Sequence, residues 1–181
     1  NTAWKNASTA ITSLKQAGLM SPAAINATSS YDLAALIVSS GYFNLKARRL
    51  KALCQWLADK NEIDQLKQLP LKELRKELLG VHGIGPETAD DILLYALDNP
   101  VFVIDAYTRR LFTRLGLIHH YDAYENIRRC FEQALDESVE VYNQYHALIV
   151  VHAKGICQKQ PQCEKCCLAE DCIGIQHLTR V

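Results

Sequence analysis

Three groups of residues in this 181-residue chain have the types and spacing for chemistry. Asp105 is a lone carboxylate between the apolar run VFVI (101–104) and the basic run AYTRRLFTRLG (106–116). At the start of a helix it would accept the Thr108 N–H, and the positive helix end would keep it ionised. An ordinary N-cap requires nothing more, so the residue alone leaves open whether the anion also reacts. Upstream, GVHGIGPETA (80–89) sets Gly83 and Gly85 on either side of Ile84, just before Pro86 at a helix first turn. Backbone N–H groups opening such a helix form a ready phosphate site. The alternative is a plain αα-hairpin whose glycines serve packing only. The third group is CQKQPQCEKCCLAEDC (157–172), where Cys157, Cys163, Cys166 and Cys172 are separated by five, two and five residues. Four cysteines so crowded fit a metal site. Cys167 falls outside that register.

These groups need a scaffold, and the sequence offers helices almost throughout. Leu33, Leu36 and Ile37 recur at helical spacing in 30–41, as do Leu50, Leu53, Cys54 and Leu57 in 46–60. LKELRKELLG (71–80) follows Pro70 and stops at Gly80. PETADDILLYALDNP (86–100) carries Ala89, Ile92, Leu93 and Ala96 on one stripe, with Glu87 at its positive end. Residues 123–135 and 142–157 continue the pattern, and VFVI is too short to found a sheet. The expected class is all-α. Cys54 and Cys130 are expected as buried thiols on apolar helix faces, and His146 and His152 as packed or surface histidines.

Composition sets bounds on partners. The hydrophobic fraction is 49%, enough for a real core, and no run has the length of a membrane span. Twenty basic and twenty acidic residues give a net charge of zero, which argues mildly against nucleic acid. The distribution matters more, because LKARRLK (45–51) and YTRRLFTR (107–114) are locally basic. Seven cysteines, five of them between 157 and 172, fit a metal site in a reducing compartment better than a secreted disulfide scaffold. The chain opens on Asn rather than Met and is expected to be a fragment or a processed product. No signal-peptide pattern is visible.

The motifs together resemble one family. LLGVHGIGPETADDILLYAL (78–97) is similar to the helix-hairpin-helix of the endonuclease III superfamily of base-excision DNA glycosylases, in its iron–sulfur-containing branch. NPVFVIDAYTRRLFTRLGL (99–117) is similar to the loop and catalytic aspartate that follow that hairpin. The resemblance runs from NTAWKN to the terminal cysteines. It implies two helical lobes around a DNA-binding cleft, with the hairpin (71–98) in residues 1–99. Asp105 and the cysteine loop would lie in 100–181. It implies a [4Fe–4S] cluster on Cys157, Cys163, Cys166 and Cys172, with zinc as the alternative. The family spacing is six, two, five, so this loop is one residue short.

The resemblance also assigns roles. Asp105 would stabilise an oxocarbenium-like sugar and orient or deprotonate the nucleophile. Family members that also cut the strand use a lysine two residues after the last hairpin glycine, where this chain has Glu87. A carboxylate cannot form a Schiff base, so a monofunctional enzyme using water is expected, acting on a damaged and perhaps alkylated base. A glycosylase/lyase for oxidised pyrimidines and a non-catalytic DNA binder are the alternatives. Gly83, Ile84, Gly85 and Arg109 would contact DNA, Lys159 and Lys165 would reach phosphate, and Tyr42 would wedge into the opened duplex. Trp4 and Tyr107 are the base-pocket candidates. The expected partner is double-stranded DNA with a damaged base. A monomer without membrane association is expected, intracellular in the cytoplasm or nucleoid.

Overall fold

A computed structural model describes residues 2–60 and 63–174. They form ten α-helices: α1 (Trp4–Gln16), α2 (Pro22–Ala27), α3 (Ser30–Leu36), α4 (Phe43–Ala58), α5 (Ile63–Leu66), α6 (Leu71–Gly80), α7 (Pro86–Ala96), α8 (Ala106–Leu115), α9 (Tyr124–Ala134) and α10 (Val139–Gly155). No strand is present among the described residues, so the all-α expectation holds. No described helix is long and apolar enough to cross a membrane.

Two compact units divide the chain, Asn1–Gly85 and Pro86–Val181. The sequence placed the division near residue 99 instead. Packing explains the difference: Leu94 of α7 joins the core that holds Phe102, Val103 and Ile104. By sequence α7 completes the hairpin, but the structure buries Ala89, Asp90, Leu93 and Leu94 rather than the expected stripe of Ala89, Ile92, Leu93 and Ala96, with Ala96 exposed, and Leu94 packs in the second unit.

The first unit is built around Ala10 and Leu14 of α1, Ile25 of α2, Leu33 and Ala34 of α3, and Ala47 and Cys54 of α4. Its starts are marked by serine caps. Ser21 accepts the Ala24 N–H at 3.2 Å ahead of Pro22, and Ser29 accepts the Asp32 N–H at 3.0 Å. The helix expected over 30–41 ends at Leu36, because Val38–Ser40 tightens into a 3-10 turn and Gly41 turns left-handed at φ 67°.

In the second unit Phe102 stacks on Phe131 with centroids 4.3 Å apart, and Tyr142 meets Phe102 edge-on at 5.5 Å. Val101, Phe102, Val103 and Ile104 are at most 1% exposed. Burial on that scale contributes roughly 1.5–3 kcal/mol per side chain. The run has no strand partner. Instead the Phe102 N–H donates to Glu132 Oε1 at 3.1 Å, and the Ile104 N–H donates to the Tyr124 hydroxyl at 3.3 Å. Side chains of α9 thus satisfy a buried backbone that a sheet would otherwise have to pair. Cys130, expected to be buried, is exposed, because α9 turns Ile127 and Phe131 inward and leaves Cys130 beside that stripe. Cys54 is buried as expected.

Candidate active site

The buried run 101–104 delivers the chain to Asp105, and α8 begins at the next residue. Asp105 is extended, with φ −91° and ψ 180°, and its Oδ1 accepts the Thr108 N–H at 2.7 Å. The N-cap expected from sequence is therefore present. The second oxygen, Oδ2, faces His146 Nε2 at 3.6 Å, just beyond hydrogen-bond distance. His146 is 7% exposed, and its Nε2 has no closer partner. Its other ring nitrogen, Nδ1, lies 2.5 Å from the Tyr95 hydroxyl.

Sequence reasoning set His146 aside as a packed or surface residue. It is packed, but against Asp105. The signal was its spacing: Tyr142, His146, Ile149 and Ala153 share the buried stripe of α10, and a polar residue on an apolar stripe needs a partner. Tyr95 and Asp91, both on α7, gave no comparable signal.

Acids crowd this corner of the second unit. Burial pushes the Asp91 carboxyl up to about 6, and the charges of Glu87, Asp105 and Asp90 act in the same direction while His146 opposes them. Desolvation also raises Glu87, with the Asp105 charge adding to it, although the Glu87 side chain as a whole is exposed. Desolvation would raise Asp105 too, but His146 and the Thr108 N–H outweigh it, and Asp105 titrates below the usual carboxylate range. The Tyr95 phenol is pushed up to about 12 by burial, reinforced by Asp91 and Asp105. One carboxylate is thus held ionised while its neighbours are biased toward the protonated form, a pattern associated with functional sites.

The remaining candidates sit as follows. Gly83 is left-handed at φ 86°, and the Ile84 N–H donates to Val81 O at 3.0 Å to close the turn after α6. A Cβ at Gly83 would overlap the Arg49 side chain, whereas one at Gly85 would stand in open space. Ile84 is buried at 9% exposure. Tyr42 is 79% exposed and left-handed at φ 46°, directly before α4. Phe43, next to it, packs against the first core. Trp4 is 73% exposed, so it is not a core residue. Tyr107 packs against the second core, and Arg110 and Lys154 lie over its ring at 5.2 and 5.7 Å. Those cations already engage the ring that the sequence offered for base stacking. Arg109 Nη1 donates to Asp122 O at 2.9 Å.

Cys157, Cys163, Cys166 and Cys172 line one cavity together with Leu111, Leu115 and Leu168. Desolvation and the charges of the other three thiols all push the Cys163 thiol up, in keeping with their convergence. Yet no three metal-ligating side chains among the described residues are close enough to hold a single ion. Cys167 is exposed and absent from that lining. Two arginines of α8 shape the loop. Arg110 donates to Cys157 O at 2.9 Å and Ala153 O at 2.8 Å. Arg114 donates to Cys157 Sγ at 3.1 Å, Gln158 O at 2.6 Å and Lys159 O at 3.0 Å. Arg110 satisfies a carbonyl near the end of α10, and both arginines hold carbonyls of the loop that follows it. The sequence showed them only as part of a basic run.

Comparison with known proteins adds to this geometry. A sequence model described as "HhH-GPD superfamily base excision DNA repair protein" matches residues 1–137. A Methanocaldococcus jannaschii protein named "Putative DNA repair glycosylase MJ1434" is 42% identical over 177 residues, covering 96% of this chain and 80% of the relative. Endonuclease III of Sulfolobus acidocaldarius is 31% identical over 134 residues, which is 74% of this chain and 58% of that protein. Among solved structures, a non-covalent endonuclease III–DNA complex superposes with a TM-score of 0.75 at 25% identity, over 90% of this chain and 72% of that one. The H. pylori 3-methyladenine DNA glycosylase MagIII bound to 1,N6-ethenoadenine gives 0.73 at 28% identity, over 85% of this chain and 79% of that one.

Proposed function

The chain belongs to the HhH-GPD superfamily of base excision DNA repair proteins, and from that premise we propose that it is a monofunctional glycosylase that removes an alkylated base by hydrolysis. The observation that carries the reading is the pairing of an ionised Asp105 with an acid, Glu87, two residues after Gly85. Asp105 accepts a proton from water, the water oxygen attacks C1′, and the C1′–N bond breaks with its electron pair leaving on the base. A base that is cationic through alkylation departs neutral and needs no acid. The anion also stabilises the positive charge that develops on the sugar. Glu87 offers no amine for a Schiff base, so the abasic strand stays intact. The MagIII likeness supports an alkylated purine as the substrate class.

DNA would be held by the Gly83–Ile84–Gly85 turn through its backbone amides, aided by Arg109, Lys159 and Lys165, with Tyr42 filling the space of the extruded base and Trp4 stacking on it. The open space at Gly85 supports close approach of another backbone. Cys157, Cys163, Cys166 and Cys172 would hold a [4Fe–4S] cluster, whose part is to tie the loop that carries Lys159 and Lys165. Arg114 adds the N–H donor to sulfur that such clusters use to tune their environment.

The second reading, a glycosylase/lyase, draws on the likeness to a trapped endonuclease III–DNA covalent intermediate, with TM-score 0.75 and 26% identity. One experiment separates the two. Duplexes carrying single lesions, 3-methyladenine and 1,N6-ethenoadenine among them, are screened for released base, then treated with borohydride or alkali. Base release with strand breakage only after alkali, and with no borohydride adduct, is expected. Efficient trapping would transfer the assignment to the lyase reading.

A further inference from the structure

His146 is 7% exposed with its Nε2 facing Asp105 Oδ2, and nothing in the hydrolysis just described uses it. We propose that Tyr95 and His146 form a positioning pair for Asp105: the Tyr95 hydroxyl fixes the imidazole so that an Nε2–H always faces Oδ2, holding the carboxylate anionic and aimed as the sugar becomes cationic. The proposal rests on the reading of Asp105 as the hydrolytic carboxylate.

The geometry leaves the ring little choice. The Tyr95 phenol stays protonated across the working pH range and can donate to the ring. The hydroxyl lies 2.5 Å from Nδ1, and when it donates there a neutral ring carries its proton on Nε2, the tautomer favoured by the carboxylate facing that nitrogen. A protonated ring carries one there as well. In either state the hydrogen of Nε2 is directed at the oxygen 3.6 Å away. The opposite edge of Asp105 is taken by the Thr108 N–H, so the two oxygens are held from two sides. A separation slightly beyond hydrogen-bond distance is common before substrate binds, and such contacts tighten in the reacting complex. Phe102 braces the imidazole edge-on, with centroids 6.4 Å apart, which limits its tilt.

The titratable groups around the ring come from α7, in Glu87, Asp91 and Tyr95, and from the cap of α8, in Asp105, while Arg109 on α8 acts on Glu87. With Glu87, Asp90, Asp91 and Asp105 in one corner, a proton shared with Asp105 would neutralise it part of the time. A donor committed to Oδ2 and not to Glu87 or Asp91 selects which acid stays charged. A histidine that merely filled space would have no preferred tautomer and no effect on the Asp105 titration.

The test uses the whole chain without DNA first. In protein labelled with ¹⁵N-histidine, long-range proton–nitrogen correlations should report an Nε2–H neutral tautomer for His146, lost or mixed in Tyr95→Phe. The Asp105 carboxyl, followed by ¹³C NMR, should titrate higher in His146→Leu and regain part of the shift in His146→Gln, whose amide can donate from a similar place. Single-turnover base release from duplex DNA methylated with dimethyl sulfate is then compared. His146→Leu should be slower by roughly tenfold or more, with its acid limb moved to higher pH and duplex affinity unchanged. His146→Gln should recover much of the rate. An Nδ1–H tautomer in the wild type would overturn the proposal, as would an unshifted Asp105 in a folded His146→Leu. If His146→Leu does not fold, Tyr95→Phe and the wild-type tautomer decide. Full base release by Asp105→Asn would instead sink the hydrolytic reading, leaving the NMR result to judge the contact itself.

Discussion

Replacing Asp91 with Asn should stabilise this protein, and only at neutral and alkaline pH. Asp91 sits on α7 with its carboxyl pushed up to about 6, against an ordinary value of 3.8. A raised acid binds its proton more tightly in the folded than in the unfolded state. Stability therefore falls as pH rises from about 4 to about 6, and the full penalty persists above that window. A difference of roughly two units corresponds to about 3 kcal/mol, and residual exposure of Asp91 brings the working figure to about 2–3 kcal/mol. Asn keeps the shape and cannot ionise. Urea unfolding followed by circular dichroism at about pH 4 and about pH 8 should show the variant gaining about 2–3 kcal/mol relative to wild type between the two conditions. A gain of equal size at both pH values would mean that charge is not its source. A variant less stable at about pH 8 would mean that the Asp91 carboxylate is an accepted anion there, and the account of the acidic corner would be wrong.

The hairpin glycines should separate by mechanism. Gly83→Ala should cost about 1–2 kcal/mol in urea unfolding, since φ 86° disfavours a Cβ and Arg49 must move aside. Gly85→Val should leave stability almost unchanged yet weaken duplex binding equally for damaged and undamaged DNA in fluorescence anisotropy. Gly116→Ala should cost a similar amount, because its φ of 77° is also left-handed and Ile173 must move aside for the new methyl. Purified protein should contain about four irons per chain by metal analysis and turn colourless when Cys163 becomes Ser, while Cys54→Ser and Cys130→Ser keep the iron. Zinc without iron or sulfide would refute that assignment.

The helical class could be read from periodicity, and the cap at Asp105 from its residue type, whereas α1, α2 and α5 and the caps at Ser21, Ser29 and Ser138 were not read. Asp105 itself was legible because a single residue marks both a cap and the end of an apolar run. Its surroundings were not. Tyr95 and His146 are 51 residues apart, and their meeting depends on how α7 and α10 pack. Periodicity told which face of α10 is buried but not what that face meets. The division at Gly85–Pro86 differs from the reading near residue 99 because a hairpin read along the chain looks like one unit, while Leu94 of α7 packs with Phe102, Val103 and Ile104. Cys130 shows the limit of pattern reading at one position: an apolar residue type beside the stripe of α9 is exposed because Ile127 and Phe131 already fill the contact.

The ten residues of α8 end in two different attachments. At one end Asp105 caps the first turn, and at the other Arg114 grips the cysteine loop, with Arg110 gripping the same loop from within the helix. A helix of this length is a stiff rod of about 15 Å. Loosening the loop therefore does not stay local, because the rod it steadies also sets the direction of the carboxylate at the far end. On the hydrolytic reading proposed above, the cysteine segment would act as ballast for an aiming device, and its condition would show in the precision of chemistry at a carboxylate on the far end of α8.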